Sequence, residues 1–195
     1  MKDIQVKIKP DNLSFDCICE VIAKAHSTLE EDGVGKLTTT GISAEELQER
    51  LGPYGACFVA MDGEKLAGTG SIIFSKRNEW FCKGYMATFG FLAILPEYRR
   101  LGIAAKLIEA RKEFVKQNGI EVIVCSTNAK NIASINLQQK QGFKLVSFYW
   151  TKNRYIVRMA YWLNGCPYST FTCNMRFNSS KMKTKLKCAL KIFSK

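Results

Sequence analysis

Histidine occurs once in this 195-residue chain, at position 26, and proline only four times. A single histidine with no Cys-x-x-Cys pair leaves no zinc-ligand spacing, so no metal is expected. No apolar run approaches the ~20 residues of a membrane-spanning helix. Met1-Lys2-Asp3-Ile4 also lacks the charged-then-apolar layout of a signal peptide, so the expected address is the cytoplasm. Acidic residues are missing altogether from positions 162–195. Eight cysteines are present, but they are scattered, and several sit in apolar runs such as Ala56-Cys57-Phe58-Val59. Reduced, mostly buried thiols are therefore expected rather than a disulfide framework.

What is there suits one globular domain: 47% hydrophobic and 24% charged residues, with a length that can enclose a full core. The net charge of +12 is uneven, because Arg176, Lys181, Lys183, Lys185, Lys187, Lys191 and Lys195 stand together in the acid-free segment. The organisation read from this is a domain over 1–161 and a basic, partly helical tail over 162–195. In the tail, Met182, Leu186, Ala189, Leu190 and Phe193 fall at helical spacing among lysines. Such a helix suits an anionic membrane surface through 175–195, at the inner membrane face; a solvated helix, or one docked on its own domain or a partner subunit, has the same pattern. Nucleic acid is not expected, since aromatics are sparse and no recognition motif appears.

Along the chain, Ile4–Ile8 alternates as a strand, Ser14 caps a helix to about Ser27, and Thr28–Gly41 reads as a loop. Ser43 and Glu46 form a capping box for a short helix ending near Gly52-Pro53. A hairpin turns at Asp62-Gly63 between Cys57–Ala60 and Lys65–Lys76. Tyr85 to Leu95 reads as a strand buried on both faces, with Gly90 as a bulge signal. Leu101, Ala104, Ala105, Ile108 and Val115 make a helical stripe ended by Asn118-Gly119. A strand over Ile120–Cys125, a helix over Asn131–Lys140, and a hairpin of Phe143–Trp150 with Tyr155–Tyr161 complete an α/β sheet of mixed direction.

The chemically informative segment is Leu95-Pro96-Glu97-Tyr98-Arg99-Arg100-Leu101-Gly102-Ile103-Ala104. A buried strand stops, the chain turns, and a helix starts on small residues whose backbone N–H groups have no partner within the helix. A diphosphate can approach such donors closely, with Arg99 and Arg100 adding charge. About thirty residues on, Asn131-Ile132-Ala133-Ser134-Ile135 leads to Lys140-Gln141-Gly142-Phe143. With these two blocks in this order, the chain resembles the GNAT superfamily of acyl-CoA-dependent N-acyltransferases over about Gln5 to Tyr161.

The resemblance implies a mixed, mostly antiparallel sheet flanked by helices, with a V-shaped splay between two parallel strands that receives acetyl-CoA. By position it places Leu92, Ala93 and Ile94 along the pantetheine and thioester, with the Leu92 backbone N–H as oxyanion donor. It places Arg100, Leu101, Gly102, Ile103, Ala104 and Ala105 around the pyrophosphate, and Asn131 on the pantetheine arm, where it also serves as a helix N-cap. The reaction implied is acetyl transfer to a primary amine by direct attack in a ternary complex. The acceptor is a small molecule, such as an amino sugar, or alternatively a peptide or protein amine. A catalytically degenerate CoA-binding module is the third reading, and the assembly is a monomer or homodimer.

Two of the family's proton-transfer groups are absent. The tyrosine often found four residues before the Gly-Phe pair is Gln138, and the glutamate of some branches is Ser126. A thiolate with pKa ~8.5 leaves at pH 7 without great need of an acid, whereas an alkylammonium with pKa ~10 must first lose a proton. His26, on the first helix with Glu30 and Glu31 nearby, is the candidate base, against the plainer reading of a surface or helix-terminal histidine. Glu79, Tyr85, Tyr149 and Tyr155 are weaker candidates, and Cys125 reads as buried rather than nucleophilic.

Overall fold

The computed structural model describes residues 3–31, 33–34, 41–151 and 153–193. Seven strands form one sheet in the order β1-β2-β3-β4-β5-β7-β6. They are β1 (Ile4–Ile8), β2 (Ala56–Asp62), β3 (Lys65–Glu79), β4 (Cys82–Ile94), β5 (Val122–Asn128), β6 (Lys144–Thr151) and β7 (Arg154–Trp162). Every neighbouring pair is antiparallel except β4 and β5. Five α-helices accompany them: α1 (Phe15–Glu31), α2 (Ala44–Leu51), α3 (Ile103–Gln117), α4 (Ile132–Lys140) and α5 (Thr170–Phe193).

The parallel pair is short, because only Ala87–Phe89 matches Ile123–Cys125. Beyond it β4 runs on to Ile94 and β5 to Asn128 without pairing to each other, so the two strands splay apart into a V. Residues alternate between two cores along β5. Ile123 and Cys125 face the main core with Ile22 of α1, Leu47 of α2 and Leu107 of α3. Val122 and Val124 face a second core with Phe81, Val146, Trp162 and Cys173 of α5.

Several expectations are corrected. α1 continues past Ser27 to Glu31, so Thr28–Glu31 is helix rather than loop; the expected loop residues 35–40 lie outside the described residues. Leu101 is not on the stripe of α3: it is half exposed and precedes the helix, whose buried face is Ile103, Leu107, Ile108, Arg111, Lys112 and Val115. Both expected caps are present, since the Ser43 hydroxyl accepts from the Glu46 N–H at 3.1 Å and that of Ser14 accepts from the Cys17 N–H at 3.3 Å.

The tail is a long helix docked on the sheet edge. Ser180 Oγ accepts from the Phe148 N–H at 2.9 Å, and Thr184 Oγ1 donates to the Phe148 carbonyl at 2.9 Å. These hydroxyls satisfy backbone groups on β6, which is an edge strand. Phe177 meets the Phe148 ring edge-on at 6.1 Å. The side chains of Ala189, Leu190 and Phe193, and that of Glu30 on α1, lie outside the described residues.

Candidate active site

The mouth of the V is shaped by a bulge. Thr69 pairs with Ala93 and Ser71 with Gly90, so Gly70 alone opposes Phe91 and Leu92. Phe91 takes φ 48, which a bulky residue adopts only where the surroundings hold it. The extra residue lifts β4 out of its ladder, and Phe91 and Leu92 both line the cavity of the splay.

Arg111 is what holds the bulge, and the apolar-stripe reading passed over it. Its side chain is completely buried. Nη1 donates to the carbonyls of Ser71 at 3.1 Å and Gly90 at 3.4 Å, and Nε to the Leu107 carbonyl at 3.0 Å. The guanidinium lies 4.2 Å from the Phe89 ring centroid. A Cβ on Gly70 would come within 2.9 Å of the guanidinium carbon, which is why glycine stands there. Burial lowers the Arg111 pKa to about 10, still well above neutrality. The available signal was its spacing: Ala104, Ile108, Arg111 and Val115 lie on one helical face, and an arginine there needs buried acceptors.

After β4, Pro96–Tyr98 forms a 3-10 turn and Arg100 (φ 63) and Gly102 (φ 75) both take left-handed backbone. Lys106 N donates the first helical bond to the Gly102 carbonyl, so the N–H groups of Ile103, Ala104 and Ala105 precede the ladder of α3. A Cβ on Gly102 would meet nothing within 4 Å. Open space in front of unladdered N–H groups and a positive helix end fits a diphosphate. Arg99, expected to add charge here, is also a structural tie. Its guanidinium donates to the Ala25 carbonyl at 2.9 Å and to Thr28 Oγ1 at 2.6 Å, tying the end of β4 to α1.

The splay opens into a cavity of about 370 Å³. Leu92 and Asn131 of the expected set line it, together with His26, Phe91, Cys125, Ser126, Gln138, Tyr149 and the arginines 50 and 154. Ala93 is buried and Ile94 half-buried in β4, and residues 99–105 follow its C-terminal end without forming the cavity wall. His26 is not a surface histidine: only 5% of it is exposed. Asn131 caps α4, its Oδ1 accepting from the Ser134 N–H at 3.0 Å, which leaves its amide N–H groups for a ligand. Gln138 is 4% exposed and its Oε1 has no hydrogen-bond partner.

Of the weaker candidates, only Tyr149 lines the cavity. Glu79 pairs with Arg158 at 2.8 Å, Tyr85 is exposed, and Tyr155 packs against Phe148 and Trp150. Burial pushes the Cys125 thiol up to about 12, so it holds its proton and is no nucleophile. Asn128, unforeseen in the sequence, donates through Nδ2 to the Val34 carbonyl at 2.9 Å and accepts from the Lys130 N–H at 2.9 Å. It thereby fastens the segment after α1 to the β5–α4 turn. Among the described residues no group of three or more His, Cys, Asp or Glu could hold a metal.

A splayed parallel pair, a bulge at its mouth and a bare helix start after it form a binding cleft, and the model of the acetyltransferase (GNAT) family matches residues 25–143. The chain belongs to the GNAT family. This GNAT chain is 32% identical over 108 residues to N-alpha-acetyltransferase 30 of Schizosaccharomyces pombe, covering 55% of this chain and 64% of that one. It is 27% identical over 110 residues to the human protein of the same name, covering 55% and 30%. It thus spans less than two thirds of the length of these curated relatives. Among solved structures, the crystal structure of the NatC complex bound to Gag peptide and CoA has TM-score 0.65 at 18% identity, over 82% of this chain and 98% of that one. The structure of yncA of Salmonella typhimurium with its cofactor acetyl-CoA has TM-score 0.59 at 17% identity, over 82% and 94%. At these identities the likeness is one of fold.

Proposed function

We propose that this GNAT protein transfers the acetyl group of acetyl-CoA to the α-amine of a peptide or protein N-terminus. The observation carrying the acetyl-CoA half is the bulge at Phe91–Leu92 opening onto a splay that ends in the bare N-terminus of α3. The acceptor half draws on the relatives, which are N-alpha-acetyltransferases.

The residues fit the co-substrate. Ile103, Ala104 and Ala105 present unladdered N–H groups to the diphosphate, and the absent side chain of Gly102 leaves room for it. The Asn131 amide, on the cavity wall, would hold the pantetheine arm. The Leu92 N–H, aimed by the bulge, donates to the thioester carbonyl oxygen as charge develops there, a contribution of the oxyanion-hole kind. The amine nitrogen forms its bond to the carbonyl carbon, the C–S bond breaks, and the electron pair leaves on sulfur. The Gln138 amide lines the cavity where a departing thiolate needs a hydrogen-bond donor. The amine must shed a proton, and His26 on the cavity wall is the base assigned to it. Positioning supplies much of the remaining acceleration.

A thiol-release assay over short peptides, amino sugars, polyamines and amino acids tests this, with mass spectrometry locating the acetyl group. Turnover on peptides with the label on the α-amine is expected. Turnover confined to an amino sugar or another small amine would replace the acceptor. Coenzyme A binding without turnover on any acceptor would favour a non-catalytic binding module. His26→Gln is expected to lower kcat by about a hundredfold with coenzyme A binding retained; a loss below threefold would remove His26 from the role.

A further inference from the structure

α5 has two opposed faces, and the fold uses one of them. Cys173, Phe177, Ser180 and Thr184 turn inward to the second core and the β6 edge. Phe171, Met175, Met182 and Leu186 recur at spacings of four, seven and four, and are 76%, 52%, 68% and 60% exposed. At about 100° per residue this second stripe points directly away from the docked face and extends about 22 Å. A shallow depression lined by Phe171, Asn174, Met175, Asn178, Ser179 and Met182 lies along it. Lys181 and Lys185 border one side of the stripe, and Lys183 and Lys187 the other.

We infer that this outer face of α5 is a docking surface for an anionic lipid bilayer, with the helix lying in the plane of the headgroups. Charge complementarity selects the occupant. The segment from 162 onward holds seven basic residues and no acid. A second copy meeting it across a two-fold axis would set lysine rows against lysine rows with no carboxylate on the segment to pair them. Anionic headgroups meet the lysines while the four apolar side chains enter the boundary with the acyl chains, and the lysine stems allow the ammonium groups to stay at headgroup level. Docking of the opposite face on β6 presents the stripe outward without any rearrangement. Among the described residues no helix is long and apolar enough to cross a membrane, so the helix lies on the bilayer.

The test is co-sedimentation of the full chain with vesicles of phosphatidylcholine alone and with about one-third phosphatidylserine added. The anionic vesicles are expected to bind at least about tenfold more tightly, since each lysine near such a surface contributes about fivefold, and the difference should collapse in high salt. Met182→Ser with Leu186→Ser should abolish sedimentation while leaving the thermal transition and acetyl transfer unchanged, because both positions are solvent-facing. Lys181→Glu with Lys185→Glu should do the same on anionic vesicles. Equal binding to both vesicle types, no sedimentation with either, or full binding by the serine variant would each overturn the proposal. So would a dimer dispersed by the serine variant, which would assign the stripe to a second copy.

Discussion

Replacing Arg111 by methionine tests whether a buried cation holds the bulge that aims the active site. Methionine fills much of the same space, so the cavity cost is small and the polar cost can be isolated. The Leu107 carbonyl belongs to the helix ladder and retains a partner, but those of Ser71 and Gly90 lose the guanidinium at the bulge. A buried carbonyl left without its donor costs about 1–3 kcal/mol, so the two together give roughly 2–6 kcal/mol. At this chain length that is a fall of about 4–24 °C in Tm. Lysine should be worse than methionine. Its ammonium cannot reach both carbonyls as a planar fork does, and it must either stay charged in a dry site or give up its proton. A lysine pKa depressed by burial means the folded state binds fewer protons than the unfolded one, so the stability of R111K should rise as pH climbs from 7 toward 10. Urea unfolding at several pH values provides the stabilities. Turnover under coenzyme A saturation, at a temperature where R111M remains folded, should fall about tenfold or more as the Leu92 donor loses its aim. An R111M protein within 1 kcal/mol of the parent, or an R111K protein as stable as the parent, would refute the reasoning.

Gly102→Ala forces an alanine into left-handed backbone at a cost of about 1 kcal/mol, a shift of only about 2–4 °C. Its methyl meets no protein atom but enters the space in front of the α3 N–H groups, so calorimetry should show coenzyme A affinity down by more than about tenfold; unchanged affinity would move the diphosphate elsewhere. Gln138→Leu removes a buried oxygen that has no partner, and should stabilise the protein by about 1 kcal/mol while slowing acetyl transfer several-fold; a destabilised or fully active variant would contradict the placement. Iodoacetamide at pH 8 should label exposed Cys17 and leave Cys125 untouched until denaturant is added, as read by peptide mass mapping. Because the folded state raises the Cys125 pKa from 9.0 to about 12, its stabilising contribution is complete below pH 9 and disappears as pH rises through 12; a Cys125→Ala protein should lose less stability over that window than the parent does.

The segment from Leu92 to Ala105 was readable because its demands are local. Unladdered N–H groups, small side chains and a strand that stops at proline all leave marks within a dozen residues. The same holds for Asn131, whose side chain caps the helix that follows it. Legibility ends where long side chains decide. Arg99 and Arg100 are neighbours in sequence, yet Arg99 spends its donors on Ala25 and Thr28, more than seventy positions away. Leu101 matched the helical period but falls between two left-handed residues, which delay the helix to Ile103. Arg111 acquires its role from carbonyls 40 and 21 positions distant, and nothing in its own neighbourhood records them beyond a charge on an apolar stripe.

The tail shows why apolar periodicity can select the wrong side of a helix as its docking face. Met182 and Leu186 are the residues that spacing picks out, and they face solvent at 68% and 60% exposure. The docked side carries Ser180 and Thr184, which no hydrophobic pattern would select. What they meet, however, is the open backbone of Phe148 on an edge strand, and an edge strand asks for donors and acceptors rather than for methyl groups. The polar face therefore closes the sheet, and the more apolar face is left for whatever lies outside. A helix whose apolar residues had been needed by its own domain would have turned them inward, where Cys173 and Phe177 already fill the space.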